Sequence, residues 1–518
     1  MPLPTPPLIA RLQEAMSFHS QGDLDAAALI YEQILKATPG HFDSLHLLGV
    51  IAMQRGQTAE AAELIGRAVQ ADRKQSAAHN NLGLALRALH RQEEALEAFT
   101  RALTLKVDNA EAHYNRALTL LDLQRLDQAL AGFRKAISLK PDYVEAHINL
   151  GVTLTHLDRN EEAIAALETA ATLTPQDANI HHNRGHALDG LRRYADAREA
   201  FARAIVLDPA HAESHVALSE MLFIAGDYQS SWKEYEWRWK TGGLAPLQRG
   251  FPQRMLTPED DVAGQTILVH AEQGLGDTLM FCRTVPALAA RGAKIILEVQ
   301  PPLKRLMTTL AGVDQILARG EDLPSFDRHV PLLSLPYILG QHAGAAAPYL
   351  AADPQLTEKW QKILGEPRKR RVGLVWSGSA ESRTGRRRNI PLSALKPLDD
   401  GSVELIGLQP DIHDSDADAL KTFQHLQNRG PDLGDFADTA ALVAALDLVI
   451  TVDTAIAHLV GALGKPVWIL LPFVPNWRWL SGDETKTHWY PTATLFPQRA
   501  LHDWSGVVNN VAAALKTV

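Results

Sequence analysis

AEAHYNRALTLLDLQRLDQALAGFRKAISLKPDY (residues 110–143) and VEAHINLGVTLTHLDRNEEAIAALETAATLTPQD (residues 144–177) are consecutive copies of one 34-residue pattern. Aligned outward from these two, a small residue recurs at Ala15, Gly49, Gly83, Ala117, Gly151, Gly185 and Ser219. A second small column follows twelve residues later, at Ala27, Ala61, Ala95, Ala129, Ala163, Ala197 and Ser231. Four residues beyond it stands a bulky one: Tyr31, Ile65, Phe99, Phe133, Leu167, Phe201 and Tyr235. Small columns let two helices approach closely, and Pro39, Pro141, Pro175 and Pro209 stop the second helix of four units. A period in this range predicts a stacked solenoid of antiparallel helix pairs.

The columns match the tetratricopeptide-repeat (TPR) pattern, with six full repeats over about residues 8–211. A degenerate seventh, ending near WKEYEWRWK, reads as the capping pair that seals the last apolar face, so residues 1–240 are assigned to the array. Asn81, Asn115, Asn149 and Asn183 form a polar column two residues before the first small column, on the helix that lines the concave groove in this architecture. An amide both donates and accepts, so such a ladder can clamp the backbone of an extended peptide. The alternative is that these amides cap or bridge neighbouring helices. The column resembles the asparagine ladder of the O-GlcNAc transferase superhelix, which implies peptide binding. A parallel column, His79, His113, His147, His181 and His215, is not a metal site, because metal ligands lie within about 2 Å of one ion and column neighbours are several times farther apart. These histidines are expected to take a bulky packing position.

A chain of 518 residues exceeds one core and splits into several domains. Its formal charge of −9 gives no reason to expect nucleic acid or an anionic membrane as the main partner. Cys282 is the single cysteine, which excludes an intramolecular disulfide and fits a reducing compartment. The start MPLPTPPLIARLQEAM lacks a basic region before an apolar core, and no apolar stretch is long enough to span a bilayer. A cytoplasmic location is expected.

After Lys240 the period is lost, and TGGLAPLQRGFPQRMLTPEDDVAG reads as a linker or a partly ordered connecting segment. The apolar runs TILVHA, KIILEV and residues 326–333 then alternate with helical segments up to a helix near Pro354–Leu364. A second series contains VGLVWSG (372–378), VELIGLQ (403–409), LDLVITVDT (446–454) and PVWILLP (466–472). The fold class is therefore α plus α/β: a solenoid followed by two Rossmann-like domains, 241–365 and 366–518, facing a cleft.

Ligands in such sheets bind beyond the carboxyl ends of the strands, and three motifs fall there. Gly274-Leu275-Gly276-Asp277 is not the dinucleotide fingerprint, since Leu279 stands where a glycine is needed. Its glycines bring backbone close to a ligand, and Asp277 is placed to remove a proton from an acceptor hydroxyl; alternatively, it only caps its helix. In SGSAESRTGRRRNIPLSAL the loop arginines Arg383, Arg386, Arg387 and Arg388 suit phosphate oxygens, Arg388 above all, whereas RKRR (368–371) reads as a solvated basic run. Val452-Asp453-Thr454-Ala455-Ile456-Ala457-His458 leads a strand into a helix whose first amides can hold an anion, with Asp453 either capping the helix or holding a ribose hydroxyl, and His458, one turn after Thr454, either facing the same site or packing as a satisfied histidine. Gln409 ends a strand and can hydrogen-bond a base or sugar, and Trp477, Arg478 and Trp479 wall the cleft or pack against the neighbouring domain. The acidic DSDAD (414–418) reads as surface, and Cys282 as core.

HAEQGLGDT, VGLVWSG, ALDLVITVDTAIAHLVGALGKPVW and HWYPT together resemble the bacterial proteins that fuse tetratricopeptide repeats to a heptosyltransferase-like, GT-B glycosyltransferase domain. The resemblance implies that Asp277 is the catalytic base. It also implies that Asp453, Thr454, Ala455 and His458 hold the donor nucleotide and phosphates, with Arg388 at the family's phosphate-binding lysine. Ala455 replaces the family's usual glycine, which alters the backbone's approach to the donor, and the arginine-for-lysine exchange and the Trp-rich loop leave ADP-heptose unassigned as donor. A CMP-, UDP- or ADP-linked sugar is the expected donor substrate, with neither cofactor nor metal. Related fused proteins resemble flagellin glycosyltransferases, which implies transfer to Ser or Thr of a protein held by the repeats. Transfer to a glycan or lipid, and a non-catalytic scaffold with a degenerate sugar-nucleotide domain, are the alternatives.

Overall fold

The structure is a computed structural model and describes residues 8–340, 346–378, 383–480 and 483–517. Two compact units make up the chain, Met1–Pro209 and Ala210–Val518.

The first unit is a run of six antiparallel helix pairs, from Leu8–Ser20 with Leu24–Ala37 to Ala178–Gly190 with Tyr194–Leu207. The small column Ala27, Ala61, Ala95, Ala129, Ala163 and Ala197 and the bulky column from Tyr31 to Phe201 are all fully buried. The glycine column is set by contact within each pair. A Cβ on Gly83 would lie 2.6 Å from the Phe99 ring, and one on Gly185 2.5 Å from the Phe201 ring. Where the column carries Ala117 instead, the facing helix carries Gly132, whose Cβ would meet that of Ala117 at 2.8 Å. In that pair Gly132 is the position that must lack a side chain. Gly185→Ala is accordingly expected to cost the repeat unit about 1–3 kcal/mol, seen as an earlier loss of helical circular dichroism on heating; an unshifted melting curve would mean that the pair separates freely.

The turn inside each pair also repeats. Gly22 and Gly56 hold left-handed backbone there, with φ of 84° and 74°, and the later units place His90, Gln124, Asp158 and Arg192 in the same region at 58–59°. The first two units thus use the residue suited to this conformation, and the next four do not.

The second unit begins one helix pair before residue 240, the end of the array read from the repeat columns. The seventh pair, Ala212–Ile224 with Tyr228–Tyr235, is succeeded by a 3-10 turn at Glu236–Lys240. Its aromatic face explains why it packs with the α/β part. Phe223 stacks on Trp477 at 3.9 Å between ring centroids, and Trp232 meets Phe281 edge-on at 5.4 Å. Phe223, Trp232 and Tyr235 belong to one apolar core with Leu279, Phe281, Val375, Leu442, Leu471 and Trp489.

Two parallel sheets follow. The first has the order β3-β2-β1-β4, from β1 (Thr266–His270), β2 (Lys294–Val299), β3 (Gln315–Ala318) and β4 (Arg328–Pro331). The second has the order β10-β9-β8-β5-β6-β7, from β5 (Arg371–Val375), β6 (Glu404–Gly407), β7 (Leu426–Asn428), β8 (Leu448–Val452), β9 (Val467–Leu471) and β10 (Ala493–Pro497). Their near-continuous apolar runs reflect burial on both faces: along β5, Val372 and Leu374 join a core with Val507 and Val511, while Val375 faces the larger core. The chain reverses direction across each sheet beside β1 in the first and between β5 and β8 in the second. Such switch points open crevices at the carboxyl strand ends. No helix among the described residues is long and apolar enough to cross a membrane.

Three local readings are corrected. Arg371 of the RKRR run is not solvated; it starts β5, buried, and pairs with Glu404 at 3.1 Å. Asp416 of DSDAD is not surface. Only 5% exposed, it accepts hydrogen bonds from Trp376 Nε1 and the Leu392 N–H, both at 3.0 Å. The segment after Lys240 is anchored rather than loose, with Leu256 and Val262 buried and the Leu256 N–H donating to the His329 carbonyl at 2.8 Å.

Candidate active site

A cleft of about 820 Å³ opens at both switch points. Gly274, Gly276, Asp277, Arg388, Gln409, Asp453, Thr454, Ala455 and His458 all line it, and Arg387 does not. The side chains of Arg383 and Arg386 lie outside the described residues.

Loop Gly274 opens the helix Leu275–Phe281. Asp277 Oδ2 accepts the Gly274 N–H at 3.2 Å, the capping role a carboxylate fills in a first helical turn. Its Oδ1 accepts from Arg478 Nη2 at 2.6 Å. Arg478 follows β9 in the NWRW segment, where Asn476 accepts from its Nη1 at 3.0 Å and the Trp477 ring lies 4.4 Å from the guanidinium. Arg478 therefore does more than wall the cleft: it pairs with the expected base. Gly276 owes its missing side chain to the neighbouring helix, since a Cβ there would lie 3.0 Å from His458 Cδ2 and 3.4 Å from Ala455 Cα.

That neighbour is the helix Ala455–Ala462, whose N-cap Thr454 makes no side-chain cap bond. Thr454, Ala455 and Ile456 at its start line the cleft, and free amides at a helix start can hold an anion. Burial raises the Asp453 carboxyl above the usual range, with Arg388 opposing the shift. Arg388 lies over backbone: a Cβ on Gly378 would come within 3.1 Å of its Nη2. Its buried Nε has no hydrogen-bond partner among the described residues. Gln409 Oε1 accepts the Ser377 N–H at 3.4 Å.

His458 is 5% exposed, stacks on Trp479 at 5.0 Å and shares a hydrogen bond between Nδ1 and the Tyr490 hydroxyl at 3.1 Å. Burial, reinforced by Arg478, Arg283 and Arg388, holds its pKa well below the ordinary value, so it stays neutral. His270, 3% exposed and 3.2 Å from His329, is pushed down to about 3, chiefly by burial. Unfolding lets both imidazoles charge below the ordinary histidine value of about 6.5. Stability is therefore full above that pH and falls as pH drops below it, by about 2 kcal/mol at pH 5 for His270 alone, with His458 acting in the same direction. All ten tryptophans lie in residues 210–518, so denaturation followed by tryptophan fluorescence reads this unit. A midpoint unchanged between pH 7 and pH 5 would contradict the burial of neutral imidazoles.

A second polar cluster was not foreseen. Arg238, 1% exposed, donates to Glu236 at 2.6 Å, Glu272 at 3.1 Å and Ser334 at 2.8 Å. Glu272 also accepts the Leu333 N–H at 3.2 Å, and Gln273 donates to the Tyr235 hydroxyl at 2.8 Å. The WRWK end of the seventh pair thereby supports the loop that carries Asp277.

In the repeat unit, Asn81 Nδ2 bonds His46 Nε2 at 3.0 Å, Asn115 Nδ2 donates to Asn80 Oδ1 at 3.2 Å, and Asn149 Nδ2 donates to the Tyr114 hydroxyl at 3.1 Å. Each amide reaches 35 residues back, so these three bridge neighbouring repeats; for Asn183 the corresponding residue is Ile148. The histidine column does more than fill space. Nε2–H of His79, His113 and His147 donates to the carbonyls of Arg73, Val107 and Pro141 at 2.9–3.1 Å, tying each first helix to the turn before it. His215 instead pairs with Glu234 and stacks on Trp237.

Comparison with known proteins identifies the class of the first part. Residues 18–84 match one tetratricopeptide-repeat family model, and residues 80–143, 114–178 and 182–236 match another. The chain thus carries a solenoid of tetratricopeptide repeats, and the last matched stretch includes the seventh pair. Protein FlbA of Caulobacter vibrioides is 26% identical over 329 residues, covering 58% of this chain and 54% of FlbA. The chain thus spans about half the length of that relative. Among solved structures, MamA is 25% identical over 33% of this chain and 92% of its own, with a TM-score of 0.31. YrrB, described as a TPR protein with an unusual peptide-binding site, is 18% identical over 36% of this chain and 95% of its own, with a TM-score of 0.33.

Proposed function

We propose that residues 210–518 form an inverting, GT-B-type glycosyltransferase that moves a sugar from a nucleotide donor to a Ser or Thr hydroxyl of a protein selected by the repeats. One observation carries this reading: a carboxylate, two arginines and an uncapped helix N-terminus share one cleft at the switch points of two parallel sheets. Asp277 takes the hydroxyl proton. Arg388 and the amides at Thr454–Ala455 stabilise the departing phosphate, the kind of preorganised charge that speeds such transfers. Gln409 and Asp453 hydrogen-bond the nucleoside, and His458, held neutral, keeps the two helix starts together. Flagellin, the acceptor implied by the family resemblance, is the first protein to test.

The bridging roles of Asn81, Asn115 and Asn149 favour a second reading, in which the acceptor is a glycan or lipid and the repeats serve assembly. A thermal-shift panel of CMP-, UDP-, GDP- and ADP-linked sugars tests the transferase. A donor at 100 times its Kd stabilises by about 2.7 kcal/mol, so one nucleotide class is expected to raise the melting temperature by several degrees. No shift from any of them would leave the scaffold alternative standing. Product analysis with the selected donor and either flagellin or a lipid-linked glycan separates the two acceptors.

A further inference from the structure

We propose that Arg478 alternates between two anions, the Asp277 carboxylate it holds in this structure and the phosphate of a nucleotide-sugar donor, and that this exchange frees Asp277 to act as base. The inference rests on the transferase reading above and names a phosphate ligand that the sequence motifs do not supply.

The geometry makes the two pairings compete. Both oxygens of Asp277 are engaged, Oδ2 by the Gly274 N–H and Oδ1 by Arg478 Nη2 at 2.6 Å. Each oxygen keeps a further lone pair, but the guanidinium at Oδ1 offsets the negative charge that would draw a hydroxyl proton to it. Arg478 has one edge half used: a two-point phosphate contact through Nε and Nη2 needs the Nη2 that Asp277 now holds. It is 9% exposed, its buried Nε has no partner among the described residues, and its Nη1 is fixed by Asn476. It lines the same cleft as Arg388 and Thr454. A guanidinium pairs with phosphate in a planar fork at least as readily as with a carboxylate, and a nucleoside diphosphate offers more charge than one aspartate.

With Arg478 drawn to the donor, the reaction balances. The acceptor hydroxyl oxygen forms its bond to the anomeric carbon while the bond from that carbon to the phosphate oxygen breaks. The electron pair of the broken bond leaves on the phosphate, where Arg478 and Arg388 meet it. The hydroxyl proton passes to Asp277 Oδ1. Asp277 is thus released from its ion pair only when a donor is in place.

The test measures binding of free CMP, CDP, UDP, GDP and ADP to the full chain by calorimetry. If Asp277 and phosphate compete for Arg478, Asp277→Asn, which keeps the cap to Gly274, binds the preferred nucleotide about tenfold tighter, or about 1.4 kcal/mol. Arg478→Gln binds it about tenfold weaker, and Asp277→Asn adds nothing on the Arg478→Gln background. Equal or weaker binding by Asp277→Asn, with the wild type binding normally and circular dichroism unchanged, overturns the exchange and leaves the transferase reading intact. Failure of the wild type to bind any of the five nucleotides overturns both.

Discussion

Asp277→Ala is expected to reduce transfer about 10³-fold, within the range for loss of a general base, while the acceptor still binds the repeats. Several features make the substitution informative. The side chain caps its own helix and pairs with Arg478, so alanine removes a base, a cap and an ion pair together. Asp277→Asn separates them, because an amide retains the cap acceptor but cannot take the proton. Both variants are expected to lose turnover, and only the alanine variant is expected to lose about 1 kcal/mol of stability from the cap. Single-turnover measurement with saturating donor checks this. Substantial transfer by the asparagine variant would assign the proton to another group.

Arg388→Ala is expected to reduce turnover about 10²–10³-fold, the size seen when one preorganised charge is withdrawn from a developing anion. Its guanidinium packs over Gly378 and opposes the burial of Asp453, so alanine also leaves that carboxyl without its strongest cationic neighbour. Arg388→Lys restores the residue implied by the heptosyltransferase-like resemblance and keeps the charge, and most of the activity is expected to return. Equal loss in both variants would show that the fork of the guanidinium, rather than its charge, is required.

The repeat unit was almost fully legible, because one period fixes where every helix begins, which residue is small and which is large. The strands β1, β2, β5, β6, β8 and β9 were legible as apolar runs, and the motifs at their ends come together as expected from the position of ligand sites in parallel sheets. Residues 326–333 also marked β4, whereas short β3 and β7 carry weaker patterns and β10 was not read. The contacts that govern the site were not legible. Asp277 and Arg478 are 201 residues apart, and nothing near NWRW names its partner. The buried Arg238 sits in a stretch that reads as a terminal cap, yet its partners Glu272 and Ser334 belong to the α/β part. The asparagine bridges could have been found: His46, Asn80 and Tyr114 place a polar group 35 residues before three of the four asparagines, and Ile148 breaks the series before Asn183.

The boundary at Pro209 has a bearing on how such proteins diversify. Phe223, Trp232, Tyr235 and Arg238 are committed to the α/β part, so the seventh pair behaves as a permanent adapter. Upstream of it, each 34-residue module repeats the same interface of small column against bulky column. Whole modules can be gained or lost there in register, lengthening or shortening the array while Asp277 and Arg478 keep their surroundings.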